Sequence, residues 1–191
     1  MDLRNLEALH SEKTTDQSSP GLMRELRGWV KDISLGVVIA ILMVVFLYQP
    51  VKVEGTSMQP ELVDQERIFV NKFVYHFEEI HRGDIVVFWY PKDPSKSFIK
   101  RVVGVPGDLV SVRGGRVYIN GQLLEERYVP RGYQDSDSYP SVQVKEGHYY
   151  VLGDHRNASN DSRSWGQVPR KYIYGKAVFR YWPVEKVGFI E

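Results

Sequence analysis

Three short stretches carry residue types from which acyl-transfer chemistry can be built. The first, Val53-Glu54-Gly55-Thr56-Ser57-Met58-Gln59-Pro60-Glu61-Leu62, places a serine after a glycine-containing turn. Such a turn can present a hydroxyl together with a backbone N–H aimed at an oxyanion. Taken alone, an ordinary turn serine satisfies the same spelling. The second, Phe98-Ile99-Lys100-Arg101-Val102-Val103-Gly104-Val105-Pro106-Gly107-Asp108, holds a lysine in a strand-like run. With a side-chain period of two, Lys100 shares a face with Phe98 and Val102, opposite Ile99, Arg101 and Val103. An amine flanked by apolar groups is desolvated, and its pKa falls toward what a general base requires. An edge-strand lysine with its head in water is the plainer reading of that segment by itself. The third, Gly153-Asp154-His155-Arg156-Asn157-Ala158-Ser159-Asn160-Asp161-Ser162-Arg163, is a dense polar loop after the apolar run Tyr149 to Leu152. Catalytic groups commonly sit on loops held by a rigid scaffold; a solvated Asx/Ser turn is the alternative.

The elements that must position these stretches read as strands. Short β-branched and aromatic runs recur at 67–70, 84–90, 98–103, 109–112, 116–119, 149–152 and 177–182. Gly114-Gly115 and Asn120-Gly121 are strong two-residue hairpin signals between them. Closely spaced strands with no helical period between them predict an antiparallel sandwich or barrel over residues 51–191. Residues 130–142 read as a long polar excursion. Trp89 and Trp182 read as core residues, since tryptophan is highly buried on average; the competing reading has them dipping into a bilayer.

Ahead of the strands, Ile33 to Tyr48 carries no charge and no proline. At 1.5 Å per residue it covers roughly 24 Å of the ~30 Å hydrocarbon core. Trp29, Val30, Val51 and Val53 extend it, and Trp29, Tyr48, Lys31 and Lys52 suit the interfaces. No small-x-small cleavage site follows, so the run reads as an uncleaved anchor over 29–50, behind a polar tail at 1–28. Arg24, Arg27 and Lys31 precede it closely, against Lys52 and Arg67 beyond, which puts the N-terminus in the cytoplasm and residues 51–191 outside. The expected class is therefore mainly β, an N-terminal transmembrane helix followed by an antiparallel β-sandwich or coiled-sheet domain.

Composition removes several functions from the 191 residues. A net charge of +1 argues against a dedicated nucleic-acid binder. Zero cysteines exclude thiolate metal sites and a cysteine nucleophile. His10, His76, His81, His148 and His155 show no metal-ligand spacing, so no metal is expected.

Taken together, an apolar anchor followed by G-x-S-M-x-P-x-L, I-K-R-V-V-G-x-P-G-D and G-D-x-R-x-x-S-x-D-S-R resembles the type I signal peptidases, from about Ile33 to the C-terminus. The resemblance implies a serine–lysine dyad endopeptidase that needs no cofactor, sits in the plasma membrane with its catalytic domain outside, and cuts signal peptides from exported preproteins. Ser57 matches the nucleophile and oxyanion N–H, and Lys100 the general base. Ser159 matches a serine that hydrogen-bonds the lysine. Asp154, Arg156, Asp161 and Arg163 match loop-bracing residues, while Val51, Val53, Met58, Leu62 and Ile99 match positions lining shallow subsites. Gly55 stands where some members carry a serine, His155 and Ala158 replace usual asparagines, and Glu61 replaces a threonine. A soluble self-cleaving repressor should carry a DNA-binding module, which is not visible. A catalytically silent, membrane-anchored β-domain that binds exported peptides is the alternative from a different class.

Overall fold

The computed structural model describes residues 20–190. It divides into two compact units, with the boundary after residue 43. The first contains most of helix α1, Pro20–Leu47. Proline is at home at a helix start, because its missing N–H is unsatisfied there in any case. The helix thus takes in 20–28, which the sequence reading assigned to the tail, whose residues 1–19 lie outside the described residues. It ends before Tyr48 because Pro50 favours extended backbone at Gln49, and Tyr48–Lys52 forms strand β1. Among the described residues no helix is long and apolar enough to cross a membrane. Glu25, Arg27, Lys31 and Asp32 interrupt its first half, and the side chains of 43–45 lie outside the described residues.

The second unit is built of antiparallel strands: β2 Arg67–Asn71, β3 Ile85–Tyr90, β4 Asp93–Gly104, β5 Leu109–Arg113, β6 Arg116–Ile119, β7 Gln122–Leu123, β8 Tyr139–Gln143, β9 His148–Leu152, β10 Val168–Pro169, β11 Ile173–Trp182 and β12 Gly188–Phe189. Two short helices, α2 Val74–Phe77 and α3 Ser162–Trp165, interrupt them. The larger sheet is eight-stranded, ordered β1-β2-β11-β3-β4-β9-β10 with β12 on β11; the smaller is ordered β7-β6-β5-β8. Both expected hairpin turns are present. Gly114 and Gly115 adopt φ of 54° and 74°, and Asn120 and Gly121 adopt 52° and 84°, the left-handed pair that a type I′ turn requires. The polar excursion at 130–142 holds all but the last residue of strand β8, which its serines, aspartates and prolines disguise.

β3 explains how the core positions the site. Its apolar run is continuous because both faces are buried. Val86 and Phe88 pack with Val102, Val151 and Ile173. Ile85 and Val87 pack on the other side with Met58, Leu62, Ile68 and Val70. A third cluster joins Val103 and Leu152 to Val110, Val112 and Val117 of the smaller sheet. Trp89 and Trp182 are 43% and 51% exposed, which corrects their assignment to the core: both sit near strand ends, where the sheet no longer covers them.

Candidate active site

Ser57 sits on a tight loop pinned at both ends. Val53 N–H donates to the Glu66 carbonyl at 2.8 Å, and Gln65 N–H returns to the Val53 carbonyl at 2.9 Å. Gly55 adopts φ +92°, a value an L side chain strains to reach, and its N–H donates to Asp64 Oδ1 at 2.8 Å. Met58 and Leu62, almost wholly buried, drive the loop's far side into the core. The half-buried Ser57 hydroxyl is left at the wall of a cleft.

Lys100 reaches that hydroxyl from the middle of β4, where it pairs with Val86 of β3. Its side chain is only 4% exposed. Nζ lies 2.7 Å from Ser57 Oγ and 2.9 Å from the Ile99 carbonyl. The Phe98 ring covers it, with its centroid 5.5 Å away. Burial pushes the amine down to about 8, while the charges of Asp161 and Asp154 pull weakly the other way. Among the described residues no carboxylate forms an ion pair with it. Desolvation wins because those acids are already engaged by arginines.

Those arginines brace the polar loop. Asp161 is wholly buried and caps α3. It accepts from Gly153 N–H at 3.1 Å, from Arg163 N–H at 3.2 Å and from Arg163 Nε at 2.8 Å. Arg163 also pairs with Asp135 and donates to the Arg156 carbonyl at 2.8 Å. Arg156 donates to the Gly153 carbonyl at 2.9 Å and pairs with Glu126. Asp154 takes Arg101 Nε at 3.0 Å and its terminal nitrogen at 2.8 Å. The loop then grips the serine turn: His155 N–H donates to the Ser57 carbonyl at 3.1 Å, and its Nδ1 bonds the Thr56 carbonyl at 3.1 Å. Gly153 has no room for a side chain, since a Cβ there would meet Ser159 Oγ and the Ser57 carbonyl.

Ser159 departs from its expected part. It makes no hydrogen bond to Lys100; its Oγ is buried without a partner among the described residues. The physical reason is that Nζ turns back onto its own strand, bonding Ile99 and Ser57 instead. The cleft beside the pair measures about 420 Å³ and is lined by Val51, Val53, Met58 and Ile99, together with Val87 and Tyr174. Leu62 is corrected. It is 0% exposed and lies in the core beneath the loop, because the Leu62 N–H to Met58 carbonyl bond turns the chain inward. Among the described residues no group of acidic or histidine side chains is placed to hold a metal ion.

The profile of the family described as Signal peptidase, peptidase S26 matches residues 26–182. This chain belongs to that family. Among its S26 relatives, a signal peptidase I of Leptolyngbya laminosa is 42% identical over 181 residues, covering 90% of this chain and 87% of that protein. A probable signal peptidase I-2 of Synechocystis is 40% identical over 168 residues, with 84% and 75% covered. A signal peptidase I of Bacillus licheniformis is 36% identical over 182 residues, with 91% and 97% covered. The crystal structure of a signal peptidase I from Enterococcus faecalis is 32% identical and covers 52% of this chain and 97% of its own, at a TM-score of 0.47.

Sequence reasoning had not assigned Glu126, Asp135 or Asp64 to this S26 site. Each is an acidic residue in a polar loop, a setting in which solvated carboxylates are the rule. Arg101 was visible only as the neighbour of Lys100, and its alternation to the opposite face was the one available signal.

Proposed function

We propose that this chain is a membrane-bound serine endopeptidase that removes N-terminal signal peptides from exported preproteins, with Ser57 as nucleophile and Lys100 as general base. The observation that carries the reading is the 2.7 Å contact between Ser57 Oγ and a buried amine. An amine titrating near 8 is neutral in about one molecule in ten at pH 7, against about one in three thousand at the ordinary lysine value. Neutral Lys100 takes the Ser57 proton as Oγ attacks the scissile carbonyl. The resulting ammonium protonates the leaving amine, and the neutral amine then activates the water that releases the acyl group. With glycine at 55, no hydroxyl is offered there to the oxyanion, and the Ser57 backbone N–H supplies the stabilising donor.

The cleft supports a substrate with small side chains. Val51, Val53, Met58 and Ile99 wall shallow apolar depressions that suit alanine-like groups at the first and third positions before the cut. Asp154, Arg156, Asp161 and Arg163 are positioning residues: the buried ion pairs fix the loop that holds the Ser57 carbonyl. The apolar run Ile33 to Tyr48, which lies in α1 up to Leu47, anchors the chain in the plasma membrane, N-terminus in the cytoplasm and residues 51–191 outside, where the bilayer and the arriving signal peptide meet it.

Incubating the full chain in detergent with a preprotein tests the reading. Wild type is expected to release the mature protein, and Ser57→Ala to release none while still binding. Equal cleavage by both overturns the nucleophile assignment, and binding without cleavage by wild type marks a silent peptide-binding domain. Gly153→Ala probes the positioning. A Cβ at 153 must displace the Ser57 carbonyl or the Ser159 hydroxyl, and a misplacement near 1 Å costs about 100-fold in rate. Steady-state kinetics should show kcat falling by about that factor with KM nearly unchanged; an unchanged kcat removes Gly153 from the account.

A further inference from the structure

A second concave face, which shares Tyr174 with the cleft, has a composition the peptidase chemistry does not use. Lys72, His76, Arg170 and Lys171 converge on a pocket of about 640 Å³ that no acidic residue lines. Among the described residues, Lys72, Arg170 and Lys171 form no ion pair. Arg170 is held by uncharged groups: its guanidinium donates to the Tyr75 carbonyl at 2.6 Å and the Ile173 carbonyl at 3.3 Å, and lies 5.6 Å from the Tyr75 ring centroid. A chain of net charge +1 thus gathers uncompensated positive charge at one place.

The rim is aromatic. Phe46, Phe73 and Trp89 also line this pocket and are 71%, 40% and 43% exposed. The face begins where the apolar run ends, since Lys72 N–H donates to the Leu47 carbonyl at 3.2 Å. Cations that attract phosphate, beside Trp89, Tyr75 and Tyr174, of the two ring types enriched at headgroup depth, match the polar margin of a bilayer rather than its hydrocarbon.

The geometry points to a site for the phosphodiester headgroup of an anionic bilayer phospholipid, held by Lys72, Arg170 and Lys171 with the aromatic rim beside the acyl chains. This rests on the membrane-bound reading above. Occupancy fixes the height and tilt of the catalytic unit against the membrane surface without touching Ser57 or Lys100.

The test uses the full chain in neutral detergent, titrated with short-chain phosphatidylglycerol or phosphatidylcholine, with tryptophan fluorescence and thermal midpoint as readouts. Wild type is expected to saturate with phosphatidylglycerol at a concentration at least about tenfold lower than with phosphatidylcholine, removal of each cation costing about fivefold at an anionic surface. Lys72→Gln/Lys171→Gln should close that gap, while Arg113→Gln/Lys145→Gln, on exposed positions elsewhere, should leave it open. Trp89→Phe should remove most of the fluorescence change. Equal affinity for the two lipids, or equal loss in the two double variants, overturns the site; saturation by inorganic phosphate at the same concentration assigns it to a free anion instead and overturns the lipid. Cleavage of a soluble peptide substrate is recorded on the same samples and alkaline extraction on membranes carrying the chain. Failure of the headgroup site is thereby separated from failure of the peptidase or of the anchor.

Discussion

Lys100→Arg protein is expected to be at least about 10³-fold less active than wild type, as inactive as Lys100→Ala, although it keeps a positive charge. A charge that merely oriented Ser57 or steadied an oxyanion would survive the exchange. A guanidinium stays protonated at every pH at which a protein folds, so it cannot receive the hydroxyl proton. Loss of a general base costs about 10²–10⁴-fold, and more where base and nucleophile act as one unit. The pH dependence follows from the same burial. Activity rises with pH as the ammonium loses its proton, with an acid limb centred near the value of about 8 to which burial brings Lys100. Stability carries the complementary sign. The unfolded lysine titrates near its ordinary value and the folded one near 8, so between the two the unfolded state binds more protons and stability rises with pH. Below 8 both are charged and the native state bears the full cost, about 3 kcal/mol. Lys100→Met should therefore be inactive yet melt higher than wild type at neutral pH, the gap narrowing as pH rises above 8. Retained turnover in Lys100→Arg, measured on purified protein with a preprotein substrate, contradicts the base role.

Asp154→Ala is expected to remove about 3–5 kcal/mol of folding stability, the usual cost of breaking a buried pair from one side. Asp154 and Arg101 are 0% and 4% exposed, and burial pushes the Asp154 carboxyl up despite the arginine's pull. The attraction between the two ions is thus set against the cost of dehydrating both. The guanidinium also donates to the Gly83 carbonyl at 3.1 Å and lies 4.2 Å from the Tyr128 ring. The double variant Arg101→Met/Asp154→Leu should be clearly more stable than Asp154→Ala. Urea unfolding checks this through the midpoint at constant slope, and a single variant within 1 kcal/mol of wild type contradicts it.

The sheet was largely legible because its strands obey simple rules. The continuous Ile85-Val86-Val87-Phe88 run announces burial on both faces, and Gly114-Gly115 and Asn120-Gly121 announce hairpins that the structure contains. β8 was hidden because Tyr139-Pro140-Ser141 has the composition of a loop and becomes a strand only by pairing with β5. The serine and lysine of the site were legible as types and order, and the distance between them was not. They are separated by 43 positions, and only the folding of the 53–66 loop onto β3 and β4 closes that gap. Leu62 illustrates the opposite error. The resemblance puts it among the subsite-lining positions, whereas the turn after Met58 sends it into the core. Ser159 was read from motif position alone, which carries no information on where the lysine ammonium turns.

The central claim is an amine that burial keeps uncharged beside one hydroxyl, and its titration can be watched directly. Full-chain protein in detergent, labelled with ¹³C and ¹⁵N at the lysine side chains and with Lys100 assigned by the signal missing from Lys100→Met, should show one lysine titrating near 8. A Lys100 midpoint near 10.5 would mean the amine is hydrated and charged at working pH, and the proposed dyad would have no base.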